Sequence, residues 1–241
     1  MSQSFKATAP ASIGNLGVGY DIMGLAFDAL TDSVIAEPRA LAGIVLGEVT
    51  GCVSELSANI SQNAALRAAD AVWQAAGGLR GMVLHIEKGI PLRSGLGGSG
   101  ASAVAGAAAA NAMLGSPFTL EELLPFALEG EAVSADPPAW DNVIAALHGG
   151  LVMAARLDPP LVRSMPIPDG LSLIVCLPDI EIDTGQARDL LKPDVALTTS
   201  VEHARRISAF TLGMAQNDHE LIKAGLEDIL IEPSSQSRHS A

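Results

Sequence analysis

The sequence predicts an α+β chain, and three stretches carry that prediction. Met82-Val-Leu-His-Ile-Glu-Lys88 alternates apolar and polar residues, as a half-buried strand does. Ala101 to Leu114 is alanine-rich, free of proline and long enough for about four turns of helix. Thr119-Leu-Glu-Glu122 is a capping box that opens a further helix, Leu123 to Ala132.

Taken in order, Phe5 to Ala9 reads as a short strand and Pro10 to Gly19 as a loop rich in glycine. Asn15 and Asp21 bracket that loop. Asn15 suits an Asx turn, and Asp21 suits the N-cap of a helix beginning Ile22-Met-Gly-Leu-Ala-Phe27. The same pair suits the ammonium and hydroxyl of a small amino alcohol, since an ammonium needs an anionic or carbonyl acceptor. Asp32 to Pro38 and Gly43 to Val49 are strand-like. Ser61 to Gly77 is an amphipathic helix that Asn63 opens and Gly77-Gly78 stops. Asn63 is either a cap or a pocket residue. Lys88, closing the strand at 82–88, either lines the same pocket or is solvated.

Between that strand and the alanine helix lie Gly95, Gly97, Gly98 and Gly100. Strand, glycine loop and helix present bare backbone N–H groups to an anion, and the helix dipole adds partial positive charge there. Ser99 sits at the helix start, where its hydroxyl either caps the helix or reaches a phosphate or Mg²⁺. Gly95-Leu-Gly97-Gly98-Ser99-Gly100 satisfies G-x-G-x-x-G, a weak match by itself. A dinucleotide fold wants a tight turn straight off the strand and a second apolar strand after the helix. Here Pro91 intervenes, and Gly115-Ser-Pro-Phe-Thr opens another helix. A Walker loop fails because no Lys-Ser or Lys-Thr closes the glycine run. An alanine helix packed closely behind a glycine turn, with no ligand, remains the plain alternative.

Glu131 lies near the C-terminal end of its helix, where the dipole disfavours an acid; it is either a solvated carboxylate or a metal ligand. Gly149 to Ala155 reads as a strand. Leu171 to Leu177, continuously apolar, reads as a strand buried on both faces. Asp183 or Thr184 suits a helix cap, and Arg188 is either a solvated surface residue or a guanidinium fork for a carboxylate. Thr199 to Gln216 and Asp218 to Asp228 look helical.

The chain has 241 residues, 17% of them charged, with a net charge of −13. That balance makes nucleic acid and anionic membranes poor partners. Cys52 and Cys176 are too few and too far apart for a disulfide framework or a zinc motif, and are expected as buried free thiols. The N-terminus has no apolar segment like a signal peptide, and Ala101 to Leu114 is too short to span a bilayer. A soluble, cytoplasmic protein is expected.

Pro91-Leu92-Arg93-Ser94-Gly95-Leu96-Gly97-Gly98-Ser99-Gly100-Ala101 resembles the second motif of the GHMP small-molecule kinases, Pro-x-x-x-Gly-Leu-Gly-Ser-Ser-Ala-Ala. It departs at Gly98 and Gly100, both toward smaller residues. Ala9-Pro10-Ala11-Ser12-Ile13-Gly14-Asn15-Leu16-Gly17-Val18-Gly19-Tyr20-Asp21 is similar to the first motif of the homoserine kinases within that family. Asp141-Asn142-Val143 and Thr184-Gly-Gln-Ala-Arg188 match further segments. Three departures stand out: Ala139 replaces the family's histidine before Asp141-Asn142, Ser235 stands where relatives have an arginine, and the third glycine-rich motif is missing.

The resemblance implies a two-lobed GHMP-kinase fold, with a ribosomal-S5-like N-terminal lobe and a ferredoxin-like C-terminal lobe that is incomplete here. A nominal boundary divides residues 1–158, the nucleotide lobe, from 159–241. It implies ATP and Mg²⁺ as cofactors and phosphorylation of the L-homoserine hydroxyl, a step of threonine biosynthesis. The 91–101 loop would take the phosphates, with Asn63 and Lys88 in the nucleotide pocket and Glu131 and Ser99 on the metal. Asn15, Asp21, Asp141 and Arg188 would hold the amino acid, and Thr184 and Asn142 would lie beside the transferring phosphate. Two other readings stay open: a nucleotide-binding relative or scaffold without turnover, and a GHMP kinase for another small alcohol. A homodimer is among the candidate assemblies.

Overall fold

In the computed structural model, residues 3–176, 191 and 194–233 are described. Two long strands form its frame. β1 (Phe5–Gly14) and β2 (Met23–Arg39) pair antiparallel from Phe5 opposite Ala36 to Gly14 opposite Gly24, with an irregularity between Pro10 and Ala11. The other edge of β2 is divided. Its residues Asp32 to Arg39 pair with β4 (Gly81–Lys88), and Met23 to Leu25 pair with β5 (Leu151–Leu157). β3 (Ile44–Gly51) lies parallel to β4, and β6 (Pro160–Met165) closes antiparallel on β5.

Four helices pack on this sheet and on one another: α1 (Ala64–Ala75), α2 (Gly98–Met113), α3 (Leu120–Glu131) and α4 (Trp140–His148). α2 lies at the centre, against β1, β2, α1, α3 and α4. An alanine-rich helix suits that place, because small side chains let neighbours approach from every side and an apolar surface all round belongs in a core. Leu66, Val72, Leu84, Ile86 and Ile144 fill the main core around it. A second, smaller cluster joins Val18, Met23 and Leu151 to Phe210, Met214 and Ile222, on α5 (Leu197–Gln216) and α6 (His219–Gly225).

Local signals translated directly. Thr119 Oγ1 accepts from the Glu122 N–H at 3.3 Å, and Glu122 Oε2 accepts from the Thr119 N–H at 2.8 Å. That backbone N–H holds the Glu122 carboxyl below its ordinary pKa. Asn63 Oδ1 caps α1 by accepting from the N–H groups of Ala65 and Leu66 at 3.1 and 3.2 Å.

Several expectations are corrected. β1 continues to Gly14, so the first half of the expected 10–19 loop is strand, with Ala11 to Gly14 paired to Phe27 to Gly24. Asp21 caps no helix, because Met23 to Leu25 is clamped as a strand by β1 on one edge and β5 on the other. α2 begins at Gly98, with Gly97 as N-cap, so Ser99 lies inside the helix and does not cap it. α4 and β6 were not foreseen: α4 is one short helix and β6 a short edge strand. Residues 171–176 form no strand; Leu171, Leu173 and Ile174 are exposed, for among the described residues no strand pairs with them. An apolar run shows the propensity of a segment and not the availability of a partner. The helix expected over Asp218 to Asp228 ends at Gly225. Cys52 and Cys176 are both exposed. Among the described residues no helix is long and apolar enough to cross a membrane.

Candidate active site

The loop that opens α2 forms one wall of a cleft of about 610 Å³, within the size range of small-molecule sites. The other walls are Asn63 at the start of α1, Glu131 at the end of α3, Asn142 at the start of α4, and Asn15 just past β1. Residues from five separate elements converge here.

Three residues of the loop, Arg93, Gly95 and Gly97, have positive φ. Gly97, at φ 65°, turns the chain into α2, and no side chain caps that helix. The first N–H groups of α2 therefore have no side-chain acceptor at the cap, and the helix dipole points its positive end at the cleft wall. That is the arrangement an anion needs. Below it lies a buried ionic knot. Lys88 pairs with Asp32, donates to the Gly98 carbonyl at 3.1 Å and contacts Ser102 Oγ at 2.8 Å. Asp32 Oδ2 accepts from Ser102 at 2.6 Å, and Asp32 Oδ1 accepts from the N–H groups of Gly89 and Ile90, both at 3.1 Å. Lys88 is thus not solvated: it ties the end of β4 to the first turn of α2 while bordering the cleft.

Glu131 is no solvated carboxylate either, being 4% exposed. Ser99 Oγ donates to Glu131 Oε1 at 3.0 Å, so the second residue of α2 and the last of α3 meet at the cleft. Among the described residues Glu131 is the one carboxylate that lines it. A buried hard-oxygen donor beside an anion site suits Mg²⁺, which takes one or two carboxylates and completes its shell with phosphate oxygens and water.

The Asn15–Asp21 loop is held in unusual backbone geometry. Asn15, Leu16 and Asp21 have φ of 68°, 36° and 53°. Asn and Asp tolerate this region, but for Leu16 it costs about 1–3 kcal/mol and persists only where the surroundings over-determine it. The surroundings here are explicit. Val18 and Met23 are buried against α5 and α6, the Asn15 N–H donates to Asp141 Oδ2 at 2.7 Å, and Asn15 Oδ1 accepts from the Asp21 N–H at 3.1 Å. Asp141 is itself 2% exposed and packs against Gly14, where a Cβ would lie 2.3 Å from Asp141 Oδ2.

The structure therefore gathers Asn15, Asn63, Lys88, the loop from Pro91 to Ser99, Glu131 and Asn142 around one cleft. Asp141 sits behind Asn15 and Asn142, and Asp21 is reached through the Asn15 side chain. Gly100 and Ala101 are buried in α2 behind the cleft wall. Thr184 and Arg188, with Asp183, lie outside the described residues. The sequence reading assigned no role to Ser12, Asp32 or Ser102. Asp32 and Ser102 carry no local signal, each being an ordinary strand or helix residue whose partner is remote in sequence, and Ser12 stands inside the first motif with nothing in the string to show its partner.

Residues 63–150 match the family model of the GHMP kinases N terminal domain. A homoserine kinase of Xylella fastidiosa (strain M12) is 35% identical over 230 residues, covering 95% of this chain and 70% of that protein. The chain belongs to the homoserine kinase family of the GHMP kinases. Another of its homoserine kinase relatives, from Pyrococcus furiosus, is 36% identical over 228 residues, covering 95% of this chain and 75% of that one. The crystal structure of a homoserine kinase from Cytophaga hutchinsonii superposes with a TM-score of 0.88 at 31% identity, over 97% of this chain and 74% of that chain. The mixed α+β architecture is thus the GHMP-kinase fold. Ala139, the departure from the homoserine kinase pattern, is the N-cap of α4, lines the cleft and leaves the cap without a side-chain hydrogen bond.

Proposed function

We propose that the chain transfers the γ-phosphoryl group of ATP to the hydroxyl of L-homoserine, giving O-phospho-L-homoserine. The observation that carries this is the convergence of an uncapped helix N-terminus, a part-buried Ser99–Glu131 pair and the strained Asn15–Asp21 loop on one cleft, in a chain of the homoserine kinase family. Phosphoryl transfer asks a protein mainly for positioning and charge stabilisation.

In this reading the N–H groups of residues 95–99 cradle the phosphates, Asn63 and Lys88 border the nucleotide, and residues 1–158 form the nucleotide lobe. Ser99 and Glu131 would hold Mg²⁺, which when bound neutralises charge on the β- and γ-phosphates. Asn15 and Asp21, backed by Asp141, orient the amino acid. Asn142 turns the acceptor hydroxyl toward the phosphate. By the family resemblance, Thr184 would serve the transferring phosphate and Arg188 the substrate carboxylate. No side chain is assigned as general base, and the hydroxyl proton passes to the phosphate itself. The pH–rate profile then carries no essential step that one nearby substitution removes; a step abolished by changing Asp21 or Asp141 alone would identify a protein base.

The deciding assay is ATP turnover with homoserine, with other small alcohols and sugars, and without acceptor, alongside thermal shift by MgATP. Nucleotide at about 100 times its Kd should stabilise the fold by about 2.7 kcal/mol. Turnover is expected with homoserine. Binding without turnover on any alcohol would make the chain a nucleotide-binding relative, and turnover on a sugar alone would reassign the acceptor. Arg188→Ala should raise the KM for homoserine by about 10- to 100-fold, as loss of a charge-assisted hydrogen bond does, and leave that for ATP nearly unchanged.

A further inference from the structure

Ser12 is fully buried where β1, the glycine loop and α4 meet. Its N–H donates to the Leu96 carbonyl at 3.1 Å, tying β1 to the loop. Its hydroxyl lies 3.0 Å from Asn142 Oδ1, tying β1 to α4. A Cβ on Gly97 would fall 2.1 Å from Ser12 Oγ and 2.8 Å from Asn142 Oδ1, so this contact sits directly beneath the turn that opens α2.

The chemistry of the neighbours fixes the direction of each bond. Asp141 Oδ1 accepts from the Asn142 N–H at 2.9 Å and faces Asn142 Nδ2 at 3.4 Å. A carboxylate only accepts, so the nitrogen end of the Asn142 amide belongs on the Asp141 side and the oxygen end on the Ser12 side. Oδ1 can only accept in turn, and Ser12 therefore donates. One Nδ2–H is directed at Asp141. Asn142 lines the cleft, and its second Nδ2–H is the donor it can offer an oxygen there.

We propose that Ser12 is a positioning residue for phosphoryl transfer: its hydroxyl locks the Asn142 amide so that Nδ2–H, and not Oδ1, serves the acceptor hydroxyl or the transferring phosphate. This rests on the kinase reading above. Without the Ser12 hydroxyl, Oδ1 loses its donor and the amide is held at its nitrogen end alone, through the long 3.4 Å contact with Asp141 Oδ1, so its orientation loosens. A donor displaced by a rotation of this kind is lost at the moment of transfer more than in ground-state binding.

The test is steady-state kinetics of the full chain with MgATP and homoserine, for Ser12→Ala, Asn142→Ala and the double variant. Ser12→Ala should lower kcat by about 10- to 100-fold while both KM values move by less than about threefold. The double variant should be no slower than Asn142→Ala alone, because the two residues act as one unit. Ser12→Cys, which keeps a side chain of similar shape but weakens the donor, carries the same test should the alanine variant not fold. A wild-type kcat in Ser12→Ala, or losses that multiply in the double variant, would overturn the proposal. A second readout needs no turnover: the Nδ2 signals of Asn142 in ¹⁵N spectra, identified by their loss in Asn142→Ala, should shift in Ser12→Ala. Unmoved signals overturn the orientation claim whether or not the wild type phosphorylates homoserine, whereas a wild type inert on every alcohol overturns the functional reading.

Discussion

Gly97→Ala is expected to lower kcat/KM by about a hundredfold or more, the scale of a roughly 1 Å displacement of reacting groups. Two independent costs fall on this residue. Its φ of 65° is the left-handed region, and a Cβ there would lie 2.1 Å from Ser12 Oγ. The backbone term alone costs about 1–3 kcal/mol. The steric term cannot be relieved by rotating a flexible chain end, because Ser12 is fully buried and bonded on both its N–H and its hydroxyl. The loop must move, and with it the N–H groups proposed to take the phosphates. Gly100 provides the contrast. A Cβ there meets its nearest neighbour, the Asn142 carbonyl carbon, at 3.5 Å, an ordinary contact inside α2. Gly100→Ala should therefore raise stability, by about 0.5–1 kcal/mol, the usual gain in a helix interior. Thermal unfolding and steady-state kinetics of the two variants decide the point, and equal behaviour would remove the special role given to Gly97.

Lys88→Met should be the most destabilising single change near the site, costing about 3–5 kcal/mol, because it strands the Asp32 carboxylate in the interior. Asp32 is 0% exposed, so its carboxylate has no contact with bulk solvent to replace the ammonium. For a chain of this length that corresponds to a fall in Tm of about 6–20 °C. Adding Asp32→Asn should recover most of the loss. An asparagine Oδ1 can still accept from the Gly89 and Ile90 N–H groups, and its amide can donate to Ser102, so the charge is removed while the hydrogen bonds remain. A single variant with an unchanged Tm would mean that Lys88 is no strut between β4 and α2.

Much of the site was legible because its determinants are short-range. Four glycines between a strand and an alanine helix imply exposed N–H groups whatever surrounds them, and the Thr119–Glu122 box and the Asn63 cap each close within three residues. The motif strings were legible in the same way, as contiguous residues that resemble a known family. Apolar runs were less informative. Leu171 to Ile174 has the composition of a buried strand, yet burial depends on a neighbour that composition cannot supply. Asp21 is a reasonable helix cap in isolation, but two flanking strands decide the conformation of Met23 to Leu25.

The local sequence by itself determined that a glycine turn would lead into the N-terminus of an alanine helix, since turn geometry and helix polarity need nothing beyond the residues in line. Only the tertiary structure decided which side chains serve it. Ser99 meets Glu131 across 32 positions, Lys88 meets Asp32 across 56, Asn15 meets Asp141 across 126 and Ser12 meets Asn142 across 130. Side chains so far apart in sequence are brought within hydrogen-bond reach only when the sheet and the four helices bury a common core. Once they are there, the cost of leaving a buried polar group unpaired selects their partners.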